Sequence, residues 1–314
     1  GQQPYNVLGE SFGALKLGAQ TLTIGRFLVN QFEVNPQDTR MTPRTFEGAA
    51  LTGGRNGAAY FVGYIDAMKH RNWDEFVPVA TVAGAPATVI EPMLLLSARD
   101  ERRADLTFGA ATYYLPDLLV STYADVAWTT PVGPDTRGRL GAQFLRQSSA
   151  GDNRLTGSPF RTWTVGVKAD LIRGPFTFSG ILMATDQGAA YRTPFGSWRG
   201  YTSRIINNFN RAGERVWGLD VAIDFAPFGA PGLSMNTSLS VGGDAIDSTT
   251  GAALSRNSEY DATLDYRFTG PGWPSWAQPL WLRARAARLE KTLGGATDVT
   301  TEYHLILNYT YTLK

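Results

Sequence analysis

Apolar and polar residues alternate with a period of two in many segments along the chain. Near the C-terminus, Tyr303, Leu305 and Leu307 alternate with polar positions that include Glu302 and His304. Successive side chains of a β-strand point to opposite faces of the sheet, so each such segment predicts a strand with one apolar and one polar face. Because no segment shows a convincing helical period, we expect an all-β protein.

About fifteen strands are predicted in this way, and turn sequences that contain glycine or proline separate many of them. The strands are expected near residues 12–18, 21–29, 45–53, 57–68, 87–97, 104–113, 117–128, 137–148, 160–171, 174–185, 212–226, 231–244, 257–269, 278–290 and 301–313. Most are about 9–14 residues long, whereas strands of globular proteins are usually about 5–6 residues long. Such lengths are typical of strands that cross a membrane.

The two faces of the predicted strands also favour a membrane protein. The polar faces are too polar for a soluble core, and aromatic residues such as Tyr266, Phe268 and Phe176 lie at strand ends. A transmembrane β-barrel has lipid outside, water inside and aromatic girdles at both interfaces. We therefore predict a transmembrane antiparallel β-barrel. A soluble β-sandwich is the alternative, because its strands also alternate, with the apolar face inward.

The connections between the predicted strands come in two lengths. Short turns follow the odd-numbered strands, and most of the others are longer loops, at residues 30–44, 69–86, 149–159, 186–211, 245–256 and 291–300. Outer-membrane barrels have short periplasmic turns and long extracellular loops, and single-chain bacterial barrels close with even strand numbers. The odd count leads us to expect one barrel domain over residues 1–314 that lacks an odd number of N-terminal strands.

Composition excludes several other classes of protein. The net charge is +1 and charged residues make up 18% of the 314 residues, below the roughly 25% of soluble domains. A net charge so close to zero gives no overall electrostatic attraction to nucleic acid. The absence of cysteine excludes a disulfide scaffold and thiolate metal sites. Apolar runs such as residues 93–96 are far shorter than the roughly 20 residues of a membrane-spanning helix.

Residues for catalysis or metal binding form no recognisable pattern. His70 and His304 are the only histidines and lie far apart, so no HExxH or HxxxH metal motif exists. The sequence also lacks a GxSxG elbow, a P-loop and a dinucleotide fingerprint that follows a strand. We therefore expect no catalytic site, no metal and no cofactor. An enzyme built on a barrel would need a nucleophile–base pair that the sequence does not show.

Four ordered segments carry patterns shared with one known family. Residues 38–48 (DTRMTPRTFEG) are similar to DSRLLPQTFxG, and residues 200–214 contain elements similar to GYTS and FxRAxE. Residues 229–233 (GAPGL) are similar to GLPGL, and residues 280–285 (LWLRAR) to the xLxxRxR of a penultimate strand. Together these segments resemble the OprD-type family, the substrate-specific outer-membrane porins of Gram-negative bacteria.

The resemblance implies an 18-stranded monomeric barrel in the bacterial outer membrane, in contact with lipid and lipopolysaccharide. Fifteen strands here would leave three absent at the N-terminus. In the family, two long extracellular loops fold inward and narrow the pore, and residues 30–44 and 186–211 correspond to them. The chain departs from the family in ending with Lys314 after Leu313, without a terminal aromatic residue.

A row of basic residues is the first candidate for solute selectivity. Arg283 and Arg285 are two positions apart and project from the same face of one strand. An arginine that faced lipid at mid-depth would cost roughly 2–4 kcal/mol, so both are expected to face the lumen. A guanidinium can bind a carboxylate through two parallel hydrogen bonds, and the resemblance implies a basic ladder that conducts carboxylates. The expected ladder comprises Arg283, Arg285, Lys168 and Arg139.

Acidic residues and two loops supply the other candidates. An acidic wall opposite the ladder would set a transverse field that selects solutes by charge pattern; the alternative for both walls is mutual neutralisation in ion pairs. The acidic wall is expected to comprise Asp220, Asp224, Glu259, Asp261 and Asp265. The constriction loops are expected to contribute Arg40, Arg44, Tyr201, Ser203 and Arg204. Arg211 and Glu214 are expected to anchor the loop at residues 186–211.

The function expected from pattern and resemblance is a channel. It would let small carboxylates or amino acids diffuse across the outer membrane through a narrowed pore with a basic ladder. Two alternatives remain: a β-barrel that is a structural component of a larger outer-membrane complex, and a soluble β-sandwich that binds a ligand. The sequence does not identify the solute, because aromatic acids, amino acids and dicarboxylates all suit a pair of arginines.

Overall fold

Nearly all of the regular secondary structure is β-strand. The computed structural model describes residues 6–37, 42–269 and 272–309. Its strands are β1 Ser11–Leu17, β2 Gln20–Phe27, β3 Thr45–Arg55, β4 Ala58–Lys69, β5 Val77–Pro78, β6 Met93–Asp100, β7 Leu106–Leu115, β8 Leu119–Gly133, β9 Thr136–Ser149, β10 Arg161–Arg173, β11 Phe176–Thr185, β12 Arg215–Asp224, β13 Leu233–Gly243, β14 Arg256–Arg267, β15 Leu280–Leu293 and β16 Ala296–Tyr309. A short helix spans Val79–Ala83, and a 3₁₀ turn spans Ala226–Phe228. The all-β prediction is confirmed, and the two-residue β5 is the one strand it omitted.

The strands form one antiparallel sheet in which neighbours along the chain are also hydrogen-bonded neighbours, except that β5 pairs with β4 beside the path. Tight turns make this order possible. Between β15 and β16 the turn is Gly294–Gly295, with φ of 58° and 84°. Glycine adopts this left-handed backbone at no steric cost, as a two-residue hairpin requires. None of the helices in the described part of the chain is long and apolar enough to cross a membrane.

The chain divides into two compact units, named here unit 1 and unit 2. Unit 1 comprises Gly1–Ala127, Ala142–Val165 and Gly188–Arg199, and unit 2 comprises Trp128–Gly141, Gly166–Gln187 and Gly200–Lys314. The long connection between β11 and β12 is therefore shared. Its residues 188–199 belong to unit 1, and its residues 200–214 belong to unit 2.

Unit 1 has a hydrophobic core on one face of its strands. In β6, Met93 and Leu95 are fully buried, whereas Leu94 and Leu96 are 48% and 49% exposed. One face of the strand therefore packs into the protein, while the other presents leucine to the surroundings. Burial of a large apolar side chain stabilises a fold by roughly 1.5–3 kcal/mol. The core continues through Phe46, Ile65, Met68, Leu115, Leu119 and Phe195.

Unit 2 presents an apolar face to the outside. On β16, Tyr303 and Leu305 are both 78% exposed, and Leu307 is 66% exposed. The exposed set continues on other strands of the unit with Leu182, Trp217, Leu219, Tyr260 and Leu264. A contiguous apolar surface of this kind is rare on soluble proteins. It is the surface expected of strands that meet lipid.

Two glycines allow adjacent strands to approach closely at one point of unit 1. Gly25 of β2 pairs with Gly48 of β3, and both have positive φ, 124° and 153°. A Cβ on Gly48 would collide with the carbonyl oxygen of Tyr64, and a Cβ on Gly25 with that of Ser11. The register between β3 and β4 shifts at Gly48, which marks a bulge there. Only glycine fits these two positions without movement of the backbone.

We expect Gly48→Ala to destabilise the protein by roughly 1–3 kcal/mol, because it adds both a collision and an unfavourable φ. The denaturant midpoint of the purified protein measures this. Gly180→Ala in β11 is the matched control, since a Cβ there would meet nothing within 4 Å. Equal midpoints for the two variants would contradict the conclusion that the backbone at Gly48 requires glycine.

Candidate functional site

The loop between β2 and β3 is tied to residues 188–199 within unit 1. The side-chain oxygen of Asn35 accepts hydrogen bonds from the Ser197 N–H at 3.0 Å and from the Ser197 hydroxyl at 3.2 Å. The Asn35 amide also donates to the carbonyl of Phe32 at 2.6 Å, and its backbone N–H donates to the carbonyl of Phe195 at 3.2 Å. Because Asn35 is buried, these bonds are shielded from water and fix the two segments together.

A buried carboxyl lies two residues earlier in the same loop. Glu33 accepts a hydrogen bond at Oε2 from the Ser121 hydroxyl at 3.0 Å, and the Ser121 oxygen lies 2.6 Å from the Tyr191 hydroxyl. Burial raises the pKa of Glu33 to about 7, against the opposing effects of hydrogen bonds with Tyr191 and Ser121 and of the charge of Arg199. Glu33 Oε1 is buried and finds no hydrogen-bond partner among the described residues. This carboxyl is thus close to half-protonated at neutral pH.

In unit 2, an arginine from the loop reaches an acid on a strand. Arg204, whose side chain is 7% exposed, donates from Nη2 to Asp220 Oδ1 at 2.7 Å and from Nε to the Ser240 hydroxyl at 2.7 Å. The pair joins a residue predicted for the constriction to one predicted for the acidic wall. Asp220 therefore holds the loop rather than standing as an unpaired charge.

Two further acids bind the backbone of the same loop. Glu259 accepts the N–H of Ile206 at 2.7 Å on one oxygen and the N–H of Asn207 at 2.8 Å on the other. Asp261 accepts the N–H of Ile205 at 3.3 Å. Three consecutive amides without strand partners thus find acceptors on β14. Hydrogen bonds between amides and carboxylates are stronger than neutral ones, so these acids fix the position of the loop.

The return of the loop to β12 is held by an internal ion pair. Arg211 Nη2 lies 2.6 Å from Glu214 Oε1, and Nη1 donates to the Ser255 carbonyl at 2.9 Å. Glu214 is fully buried, and its backbone carbonyl accepts the N–H of Thr185 at 2.9 Å. This arrangement fits the anchoring role expected for Arg211 and Glu214.

On β15, the first arginine of the predicted ladder is paired with an acid. Arg283 donates to both oxygens of Asp265, from Nε at 2.7 Å and from Nη2 at 3.0 Å. Trp281 Nε1 donates to Asp265 Oδ1 at 2.7 Å, and its ring lies 4.3 Å from the Arg283 guanidinium carbon. The three side chains share the polar face, where Arg283 and Asp265 neutralise each other and Trp281 adds a hydrogen bond.

The second arginine of the ladder differs from the first. Arg285 pairs in register with Thr263 on β14 and with His304 on β16, and Asp261 and Asp265 are its diagonal neighbours on β14. Arg285 forms no ion pair with any residue that the structure describes, and its Nε is buried without a hydrogen-bond partner. Two arginines with the same sequence pattern therefore have different surroundings, and only Arg285 has capacity left for an anion.

The remaining candidates on the strands are scattered. Lys168 lies 3.2 Å from Asp170. Arg139 on β9 is exposed, and no ion pair to it is found within the described ranges. Asp224 closes β12 and accepts the N–H of Ala226 at 2.9 Å.

The remaining loop candidates are distributed between the two units. Arg44 is buried in unit 1, immediately before β3. Tyr201 is half-buried, and the Ser203 N–H donates to the carbonyl of Gly200 at 2.9 Å. Arg40 lies outside the described residues.

Comparison with known families and structures assigns the chain to a protein family. The profile of outer membrane porins of the OprD family matches residues 2–313. The chain belongs to the OprD family. Crystal structures with the same fold as this porin include Pseudomonas aeruginosa OccK1 (OpdK), with a TM-score of 0.80 and 22% identity over 95% of this chain and 77% of that one. For P. aeruginosa OccK9 (OpdG), the TM-score is 0.81 at 22% identity, and the match covers 98% of this chain and 80% of that one.

A structure of P. aeruginosa OpdK with vanillate gives a TM-score of 0.80 at 22% identity, over 95% of this porin and 76% of that chain. Curated proteins gave no match. Family and fold confirm the predicted family, the β-barrel fold class and the outer-membrane location. This family and this fold are typical of channels rather than of enzymes. In the described ranges, no group of three or more His, Cys, Asp or Glu side chains could hold a metal ion.

Sequence reasoning missed the polar residues that hold the loops in this porin. Glu33, Asn35 and Ser240 are buried and hydrogen-bonded, but in the sequence they are isolated polar residues. The proximity of Glu33 and Asn35 to the matched motif at residues 38–48 is the only signal that marks them. Their partners lie about 90 and 160 residues away, and no local pattern reveals such contacts.

We expect the stability of the protein to fall as pH rises, because of Glu33. Its pKa is 4.5 in the unfolded reference and about 7 in the fold. The stabilisation is therefore complete below pH 4.5 and is lost as pH rises through about 7. A shift of this size corresponds to about 3 kcal/mol at 1.36 kcal/mol for each unit. Heat denaturation followed at pH 5, 6, 7 and 8 measures the effect.

Glu33→Gln keeps the shape without the charge and should flatten this dependence, and it should be more stable than the wild type at pH 8. Glu101→Gln, at an exposed residue paired with Arg99, is the control and should retain the wild-type slope. A wild-type slope in Glu33→Gln would show that another group is responsible.

Proposed function

We propose that this porin lets small carboxylate-bearing solutes, such as aromatic acids or amino acids, diffuse down their gradients, and that Arg285 contacts the carboxylate. The observation that carries the proposal is the state of Arg285, which is buried at Nε and unpaired among the described residues. A buried donor without an acceptor costs about 1–3 kcal/mol. A passing carboxylate would supply that acceptor with the geometry a guanidinium prefers.

The acids near Arg285 keep such binding weak, as transport requires. Asp261 and Asp265 are its diagonal neighbours on β14, so their charges reduce the positive potential at Arg285. A channel site must attract its solute but also release it. Arg283, neutralised by Asp265, would shape the site through Trp281 rather than add a free charge.

The crystal structure of OpdK with vanillate supports a carboxylate as the solute class, since vanillate is an aromatic acid and OpdK shares the fold. Trp281 lies beside Arg283 on the same face as Arg285, so an aromatic acid could stack while its carboxylate meets Arg285. Among the other ladder candidates, the exposed Arg139 would extend the basic row, and Lys168 is paired with Asp170.

The loops at residues 30–44 and 186–211 are assigned in this proposal to the constriction. Their support comes from the buried bonds that fix them, Asn35 to Ser197 in unit 1 and Glu259 to Asn207 in unit 2. A constriction selects by size only if its loops hold their position against thermal motion. In this proposal, Asp220, Glu259 and Asp261 serve chiefly to position the loop.

The surroundings of the porin are proposed to be outer-membrane lipid and lipopolysaccharide, with no nucleic acid partner. The exposed apolar side chains of β16, such as Tyr303 and Leu305, support contact with lipid. The working form is proposed to be a monomer.

Planar-bilayer recording of the full-length protein tests the role of Arg285. We expect Arg285→Gln to reduce the permeability of benzoate about tenfold, because a charge-assisted hydrogen bond contributes about 1.5–3 kcal/mol. Passage of the neutral isostere benzamide, which carries no current and is followed by liposome swelling, should be unchanged. Arg288→Gln on the same strand, at an exposed residue paired with Glu290 at 2.8 Å, is the matched control.

Wild-type benzoate passage through Arg285→Gln would refute the assignment of the site. A full-length protein that conducts no ions would refute the channel and favour a structural component of a larger outer-membrane complex.

A further inference from the structure

Four side chains that can carry positive charge meet where β3 begins and β4 ends. Thr45 and Lys69 are opposite each other in the antiparallel pair. This register brings Arg44, just before β3, close to His70 and Arg71, just after β4. The cluster lies within unit 1 and shares no residue with the row on β15.

Arg44 is the least satisfied member of this cluster. The residue is 6% exposed, and its Nε and Nη1 are buried without a hydrogen-bond partner among the described residues. None of the acids in the described ranges forms an ion pair with it. Burial and the like charge of Arg71 lower the pKa of Arg44 to about 10. A buried guanidinium in this state is costly unless an anion completes it.

Lys69 adds a second buried charge. Its ammonium group donates to the Thr42 hydroxyl at 3.3 Å, the Pro43 carbonyl at 3.1 Å and the His70 carbonyl at 3.1 Å. All three acceptors are neutral. The hydrogen-bonding needs of Lys69 are met, but its positive charge is not compensated by a described carboxylate.

The pKa of His70 reflects the positive charges of the groups around it. Burial lowers its pKa to about 4, and the charges of Arg44, Arg71 and Lys69 lower it further in the same direction. Among the residues that the structure describes, no acid acts on His70 or on Arg44. His70 and Arg71 are only partly buried, and the next residue, Asn72, is exposed, so a small solute can approach from water.

We propose that Arg44, Lys69, His70 and Arg71 form a binding site for a small oxyanion, a carboxylate or a phosphate. The oxyanion would accept hydrogen bonds from Arg44 and offset the charge of Lys69. The site is separate from Arg285, so it does not depend on the proposed transport function. Its occupant would fix the base of the loop between β2 and β3.

Histidine titration by NMR gives a direct test, because the chain has two histidines. We expect inorganic phosphate, added at constant ionic strength to the full-length protein in detergent, to raise the pKa of His70, since a nearby negative charge favours the protonated ring. His304, on β16, serves as the internal measure of general salt effects. The His304→Asn variant assigns the two signals.

Arg44→Gln should raise the pKa of His70 by removing a neighbouring cation and should weaken the phosphate response at least about tenfold. Arg44→Lys keeps a charge and should restore part of the response. Arg103→Gln, at an exposed residue paired with Asp105 at 2.7 Å, is the matched control and should respond like the wild type. A heat-modifiability assay on gels verifies that each variant is folded.

Acetate and phosphatidylglycerol micelles, tested separately from phosphate, distinguish the source of the oxyanion. A response to phosphate or acetate supports a free solute, and a response to the lipid alone supports a headgroup phosphate. If His70 responds to none of the three, or responds equally in Arg44→Gln, the proposal is overturned. If Arg44→Gln does not fold, a wild-type His70 that does not respond beyond the change at His304 still overturns it.

Discussion

The exclusion of charge from lipid is the constraint on which the rest of this structure depends. Because side chains alternate along a strand, charged residues in the part of a strand that crosses the hydrocarbon must lie on the face turned away from lipid, whereas pairs near a strand end, such as Arg288 and Glu290, can lie on the other face. On β15 this places Trp281, Arg283 and Arg285 together, with Leu282 and Ala284 on the opposite face. The polar faces of β12, β14 and β15 therefore concentrate charge within reach of neighbouring strands, and those charges must pair, hold a loop or meet a solute.

The two units satisfy this requirement with different chemistry. In unit 2, carboxylates on a strand accept the backbone amides of a loop, as Glu259 does for Ile206 and Asn207. In unit 1, the neutral amide of Asn35 performs the equivalent task. A neutral amide holds its loop at any pH. Glu33, two residues before Asn35, has a pKa of about 7, so its charge changes with pH near neutrality.

The period-two pattern predicted the strands well because it is local: fifteen strands of β1–β16 fell where alternation placed them, and β5 is too short to alternate. The pattern could not separate Arg283 from Arg285. Their difference depends on register, which sets Asp265 opposite the first and Thr263 opposite the second. A shift of the pairing by two residues would place Asp265 opposite Arg285 instead of Arg283 without any change in sequence. The contacts of Glu33 and Asn35 were likewise hidden, because they join residues distant in the chain.

Arg44 and Arg285 are both buried at Nε and unpaired among the described residues, although the chain has almost as many acids as bases, 28 against 29. Leaving a buried guanidinium donor unsatisfied costs about 1–3 kcal/mol. Beside Arg285, Asp265 binds Arg283 through both oxygens, and Asp261 accepts the N–H of Ile205, although its other oxygen is buried without a hydrogen-bond partner among the described residues. For Arg44, none of the acids in the described ranges forms an ion pair with it. These unsatisfied donors are the reason we propose that the acceptors of Arg44 and Arg285 come from outside the chain.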